Sequence, residues 1–248
     1  MSRSYLEPVT NVPISSKIDT NARILQYCRI GADLRMNMKI SIDEAILKLQ
    51  ALEGKKFADL VTPDLINKGS AGQLIELALG LVLSSDLLDL TDGELKSNKF
   101  LNGKPAETMA ITQVGHTLPE ISKNTPWENS TVLRKISSFI LVPVHKDKPN
   151  PADWVIGRAT HFEKNKFPSQ YEKLAADYLD IAEQLRNILA NSGELHTLNG
   201  RYKYLQIRTK DSKDSKGSYH PIKYAGRAIS NKNYAFYFRK QFLEDVLK

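Results

Sequence analysis

The sequence predicts a fold that mixes helices and strands, α/β or α+β, and three observations carry this. Residues 139–144, Phe-Ile-Leu-Val-Pro-Val, form a continuous apolar run, as expected of a central strand buried on both faces. Leu174, Tyr178, Ile181, Ala182, Leu185, Ile188 and Leu189 recur at steps of three and four, which is one face of a long helix. Around these two segments, helix-period and strand-period stretches alternate in mixed order with no internal repeat.

From the start of the chain, residues 1–20 carry Pro8, Pro13 and many small polar residues and read as a loose arm. Ser41-Ile42-Asp43-Glu44 has the pattern of a capping box, opening a helix to about Leu52 with Ile42, Ala45, Ile46 and Leu49 on one face. Pro63-Asp64 marks a turn, and Lys68-Gly69-Ser70 leads into a nearly all-apolar helix over about 71–83 whose one charge is Glu76. A hairpin is expected around 86–97 and a turn at Lys104-Pro105, followed by a strand over 110–114. Trp127 to Ile136 reads as a short helix, and a strand lies near 154–157. Ser169 to Glu172 offers a second capping box for the long helix, which Gly193 ends. Residues 202–208 and 235–238 read as strands flanking a Lys/Asp/Ser/Gly loop over 209–221, and Phe242, Val246 and Leu247 mark a last short helix.

At 248 residues the chain can bury a sizeable core in one large domain or two small ones. No apolar run reaches the length of a membrane span, and the N-terminus lacks the apolar stretch of a signal peptide. The single cysteine, Cys28, excludes an intramolecular disulfide, and the five histidines are scattered without metal-ligand spacing. The expected compartment is the reducing cytosol. Net charge is +7, and it is unevenly placed: from Leu198 onward there are twelve Lys/Arg against four Asp/Glu, while the rest has 23 against 24. The basic surplus therefore belongs to the C-terminal fifth, where tyrosines and phenylalanines interleave with it, and a polyanion is its natural partner.

Asp92-Gly93-Glu94-Leu95-Lys96 is the stretch that points to chemistry. A turn pair runs straight into an extended segment in which Glu94 and Lys96 share one face and Leu95 takes the other. Asp86 and Asp89 lie just upstream. Carboxylates that hold a divalent cation beside a lysine that orients a water are what metal-assisted phosphodiester cleavage requires. The triplet alone is weak, since Glu53-Gly54-Lys55 repeats it where nothing suggests catalysis. A lone charge in an apolar helix is costly to bury without a partner, which marks Glu76 as a second candidate.

Gly72 to Glu76, Glu94 to Lys96, Trp127 to Lys135 ahead of Leu141-Val142-Pro143-Val144, Tyr204 to Arg208 and Phe236 to Lys240 follow one another in an order and spacing that resemble the MutH-like endonuclease family. That family contains the mismatch-repair nicking enzyme and type II restriction enzymes acting on GATC or related sites. The resemblance covers about residues 56–248, leaving 1–55 as an N-terminal arm and helix. It implies an α/β, restriction-endonuclease-like PD-(D/E)xK fold, a mixed sheet flanked by helices with two lobes around a DNA cleft. It implies that Glu94 ligates Mg²⁺, that Lys96 positions the attacking water, and that Glu76 and Lys135 belong to the active site. It implies a base-contacting role for Arg208 and a place for Tyr237 beside the adenine of the site. Lys210, Lys213, Lys216 and Arg239, in the basic part over about 198–248, are expected to hold DNA phosphates. The family's first aspartate stands seven residues before the glutamate; here that position is Leu87. Asp86 fits with one residue inserted and Asp89 with two deleted; the two stand as alternatives for the aspartate metal ligand, with Asp86 ahead because a four-residue gap between Asp89 and Glu94 is tight.

The function expected on these grounds is a Mg²⁺-dependent, sequence-specific endodeoxyribonuclease leaving 5′-phosphate ends on double-stranded DNA. A type II restriction enzyme is the first reading, given the added N-terminal segment and the altered aspartate spacing. It implies a homodimer on DNA. The alternatives are a mismatch-repair nickase and a catalytically silent DNA-binding relative.

Overall fold

The computed structural model describes residues 39–62, 66, 71–81 and 87–248. The expected arm over 1–20, the turn at Pro63-Asp64 and Asp86 lie outside the described residues, and the apolar helix expected to about 83 stops at Ala78, where Gly80 takes left-handed backbone (φ 80°).

The centre is strand β4 (Ser138–His145), the apolar run of the sequence. It pairs in parallel with β1 (Glu94–Leu101) and antiparallel with β5 (Val155–Ile156) and β6 (Thr160–Glu163), so the sheet is mixed. Alternate side chains of β4 feed two cores. Ile140, Val142 and Val144 pack with α1 (Ile42–Leu52), α3 (Ala71–Ala78) and Leu95, while Phe139 and Leu141 pack with the long helix α6 (Pro168–Ala190) and a second sheet. A short helix, α2 (Phe57–Leu60), lies between α1 and α3. The second sheet has the order β3-β11-β8-β7, from Met109–Gln113, Tyr234–Phe238, Leu205–Thr209 and Leu198–Asn199. Helices α4 (Val114–Ser122), α5 (Thr131–Ile136) and α7 (Lys240–Val246) flank the sheets, and β9 (Ile222–Tyr224) with β10 (Arg227–Ser230) forms a separate hairpin. This is a mixed α/β, restriction-endonuclease-like arrangement.

Several elements differ from the sequence expectation for local reasons. The hairpin expected around 86–97 is not there: residues 87–93 are bends, and the strand opens only at Glu94. The Asp92 side chain instead accepts from Ile42 N at 2.8 Å, at the start of α1. Gly93 is pressed so close to the neighbouring chain that an added Cβ would sit 2.7 Å from Ser138 O and 2.5 Å from Ile42 Cδ1. The true hairpin lies one turn later. Asn102 (φ 50°) and Gly103 (φ 73°) both take left-handed backbone, as a two-residue hairpin turn demands, and Lys104–Pro105 becomes strand β2 rather than the turn. Trp127–Asn129 is a 3₁₀ turn and α5 starts afresh after Ser130, whose hydroxyl accepts from Leu133 N. The capping box at Ser169 is not used either, because α6 begins at Pro168, well suited to a first helical turn.

Candidate active site

Alternation along β1 puts Glu94 and Lys96 on one face, and the register beside Phe139 and Leu141 of β4 fixes their height in the sheet. Glu94 is 1% exposed. Its Oε2 accepts from Lys96 Nζ at 2.7 Å and its Oε1 from Lys135 Nζ at 2.5 Å. Lys135 stands in the last turn of α5, where the helix dipole favours a cation, and also donates to Leu87 O at 2.6 Å. Asp89 reaches the same place from the preceding bend. Its Oδ2 accepts from Leu95 N at 3.0 Å and lies 3.9 Å from Lys96 Nζ.

The cluster's protonation reflects crowding of like charges in a part-buried site. Burial pushes the Glu94 carboxyl up, with its close contact to Asp89 adding to the effect, against the pull of the two lysines. Burial works against Asp89 too, but its bond with Glu94, the Lys96 charge and the Leu95 amide outweigh it and hold its carboxyl low. Glu76, half-buried on α3, is pushed up to about 7, by burial first and then by the charge of Asp89, with Glu94 adding and Lys96 opposing. Lys210 is lowered by burial first and then by the charges of Lys96 and Lys135.

One edge of β1 is taken by β4, whereas among the described residues a strand covers the other only at Phe100 and Leu101, through β2. Along the free edge runs an open groove of 410 Å³ from Gly72 at the start of α3 to Tyr237 on β11, with Lys96, Asn98 and Thr108 on its walls. Arg208 on β8 lies with its guanidinium carbon 5.5 Å from the centre of the Tyr237 ring and donates to Thr108 Oγ1 at 3.1 Å. Lys96 of the cluster and Tyr237, one of the two residues marked for base contact, thus line one groove, and Arg208 reaches its wall through Thr108.

No family model matches the chain. Individual proteins do. It is 29% identical over 222 residues to the DNA mismatch repair protein MutH of Shewanella oneidensis, covering 84% of this chain and 94% of that one. The MutH of Pasteurella multocida gives 29% over 222 residues, with 83% and 94% covered. The MutH of Haemophilus ducreyi gives 30% over 198 residues, with 76% and 82% covered. The chain belongs to the MutH-like endonuclease family.

In this MutH-like chain the remaining sequence candidates are spread more widely. Lys213 and Lys216 stand exposed on the loop between β8 and β9, with Lys213 Nζ 5.6 Å and Lys232 Nζ 4.8 Å from the Tyr219 ring centre. Asp214 shapes that loop by accepting from Lys216 N and Ser218 N. Asp211, its side chain 3% exposed, accepts from Asn233 N and from the backbone and ring of His220. Arg239 is not on the groove; it donates to Asn199 Oδ1 at 2.8 Å beside β7. Among the described residues, no three His, Cys, Asp or Glu side chains gather as a metal-holding group.

The sequence reading passed over Asp177, Asn98 and Thr108. Asp177 is fully buried in α6 and accepts from Tyr202 N, Tyr204 N and Leu205 N, which holds the strand that carries Arg208. Its signal was present: an aspartate three residues after Leu174 and four before Ile181 falls on the apolar face of its helix. Asn98 continues the Glu94-Lys96 alternation by one step. Thr108 had no local signal.

Proposed function

We propose that this protein is a divalent-cation-dependent, sequence-specific DNA endonuclease of the mismatch-repair, strand-nicking type. The observation that carries this reading is Glu94, buried and held by two lysines, with Asp89 and Glu76 crowding the same charge at the free edge of β1. The relatives' names favour the mismatch-repair role over the restriction role that the sequence alone favours.

The donor set suits a hard cation. Asp89 and Glu94 interact directly through their carboxyl groups, and a bound cation would relieve their mutual repulsion. Mg²⁺ is commonly bound through one or two carboxylates plus substrate phosphate oxygens, so two suffice. In this reading Asp89 and Glu94 hold Mg²⁺, and Asp86 is the alternative to Asp89. When bound, the cation supplies a polarised phosphate and an acidified water. Lys96 positions that water through its bond to Glu94, and Lys135 favours the charged form of Glu94 against the upward push of burial and pins the bend at Leu87. Attack on phosphorus with departure of the 3′ oxygen leaves 5′-phosphate and 3′-hydroxyl ends. Lys210, Lys213 and Lys216 grip phosphates, while Arg208 and Tyr237 face the bases. Only one cysteine and DNA as substrate suit the cytosol, and among the described residues no helix is long and apolar enough to cross a membrane.

The test is incubation of the purified protein with supercoiled plasmid, with Mg²⁺ and with EDTA, followed by sequencing of the ends. Open circles nicked at discrete sites only with Mg²⁺ support the reading. Linear product at the same sites returns the restriction role and pairing on DNA. Random degradation, or cleavage in EDTA, overturns the proposal.

A further inference from the structure

The strand that holds the charge cluster and the residues set to face the bases are physically tied, and the tie passes through a residue outside both groups. Asn98 lies two steps beyond Lys96 on the same face of β1 and is 3% exposed. Its Nδ2 donates to Glu107 O at 3.2 Å. That carbonyl can only accept, so it fixes the amide with its nitrogen toward it. The segment it holds, 106–108, is tied to β1 a second time through Ala106 N to Lys99 O at 2.8 Å. The next residue, Thr108, accepts from Arg208, whose guanidinium lies over Tyr237. The chain of contacts runs from Glu94 and Lys96 to Asn98, to Glu107, to Thr108, to Arg208.

A second observation concerns the other half of the same amide. Asn98 Oδ1 is buried and has no hydrogen-bond partner among the described residues. Burying an unmet acceptor costs stability that a leucine of similar size would not cost. A site occupied only to fill the core would not hold an asparagine in this way, and groups kept at such a cost cluster at functional sites.

We propose that Asn98 is a positioning residue that sets Arg208 in register with Glu94 and Lys96, so that base reading and cleavage are aligned. This rests on the endonuclease reading above. Loss of the Asn98 amide frees the 106–108 segment, and with it Thr108, so that Arg208 is no longer aimed. The chemistry at Glu94 is touched less than the reading.

The experiment compares the full-length wild type with Asn98→Leu, Thr108→Val and the double variant. Substrates are a 40-base-pair duplex carrying the site mapped in the plasmid digest and the same duplex with one base pair of that site exchanged. The ratio of kcat/KM on the two duplexes should fall about tenfold in each single variant, the size expected when a hydrogen bond to a charged group is lost. The double variant should fall no further than either single one, because both cut the same chain of contacts. On the mapped site KM should rise more than kcat falls. The Asn98→Leu variant should melt at or above the wild-type temperature, which separates a lost aim from a lost fold. Unchanged discrimination in both single variants, or additive losses in the double, overturns the inference while leaving the endonuclease reading standing. A wild type that cuts neither duplex overturns both.

Discussion

On the β1 side of the groove, Glu94 is almost wholly buried and both of its oxygens are taken by ammonium groups. On the basic side, in the loop between β8 and β9, Lys213 and Lys216 stand in solvent; Asp214 shapes that loop, and Lys213 Nζ lies 5.6 Å from the centre of the Tyr219 ring. On the proposed endonuclease reading, the difference follows from what each side would be asked to do. Charges that stabilise a reaction gain strength in a site from which water is excluded, and they must be paired there because an unpaired charge is costly. Charges that grip a polyanion act by releasing its counterions and need no burial. Arg208 is intermediate: exposed, yet held by Thr108 and laid over Tyr237. The contrast predicts that substitutions on the two sides fail in different ways and by different amounts.

The largest effects belong to the paired side. Glu94→Ala and Lys96→Ala should each lower cleavage of the plasmid by about 1000-fold or more, the scale of losing several kcal/mol of transition-state stabilisation. DNA binding in EDTA, followed by fluorescence anisotropy, should stay within a few-fold of wild type. Asp89→Asn should match Glu94→Ala, whereas Asp86→Asn should be mild. The reverse pattern would move the cation to Asp86. Full activity in both aspartate variants would remove the cation from this cluster.

Arg208→Ala should come next. Its loss should erase about 1–3 kcal/mol of preference for the mapped site over an altered one, with much less effect on the altered duplex. Equal weakening on both duplexes would turn Arg208 into a phosphate clamp and move it to the solvated side of the comparison. Tyr237→Ala should change the response to adenine methylation where the mapped site contains adenine.

The same contrast governs how much could be read in the sequence. Glu94 and Lys96 were legible because strand alternation and charge are local properties, and the apolar run at 139–144 named the strand they pair with. Helix 114–122 was not legible, because Gly115 and Pro119 both argue against a helix. It forms because Val114, Thr117, Leu118 and Ile121 bury one face, a gain set by tertiary packing. The hairpin was misplaced by Asp92-Gly93, a strong turn pair whose aspartate is used by α1 instead. Asn102-Gly103, the better hairpin signal, was passed over. Arg208 and Tyr237 came only from resemblance, since nothing local shows that residues so far apart from Thr108 in the chain meet across a groove.

The solvated side should give smaller and uniform effects. Lys213→Ala and Lys216→Ala should each weaken binding only a few-fold, equally on mapped and scrambled duplexes. Each should reduce the slope of log affinity against log salt by about one. Titrations at 50 and 200 mM salt measure this. A loss confined to the mapped site would mean that the loop reads sequence and that the division between the two sides is drawn in the wrong place.

The smallest effect concerns stability on the paired side and arises from Glu76. Its carboxyl titrates at about 7 in the folded protein against 4.5 when unperturbed. Between those values the folded state holds a proton that the unfolded state has released, so stability falls as pH rises through this window and the loss is complete above about 7. Glutamine in its place carries no such charge. In EDTA, Glu76→Gln should therefore melt close to wild type at pH 5 and above it at pH 8. Because the group is only half-buried, solvent screening reduces the gain to about 1 kcal/mol, or roughly 2–4 °C for a chain of this size. Adding Mg²⁺ at pH 8 should narrow the gap, since a bound cation relieves the repulsion that the ionised wild-type carboxylate suffers beside Asp89 and Glu94. Scanning calorimetry at the two pH values decides it. A gap that is the same at pH 5 and pH 8 would mean that Glu76 does not share the field of the cluster, and the paired side would shrink to Asp89, Glu94 and their lysines.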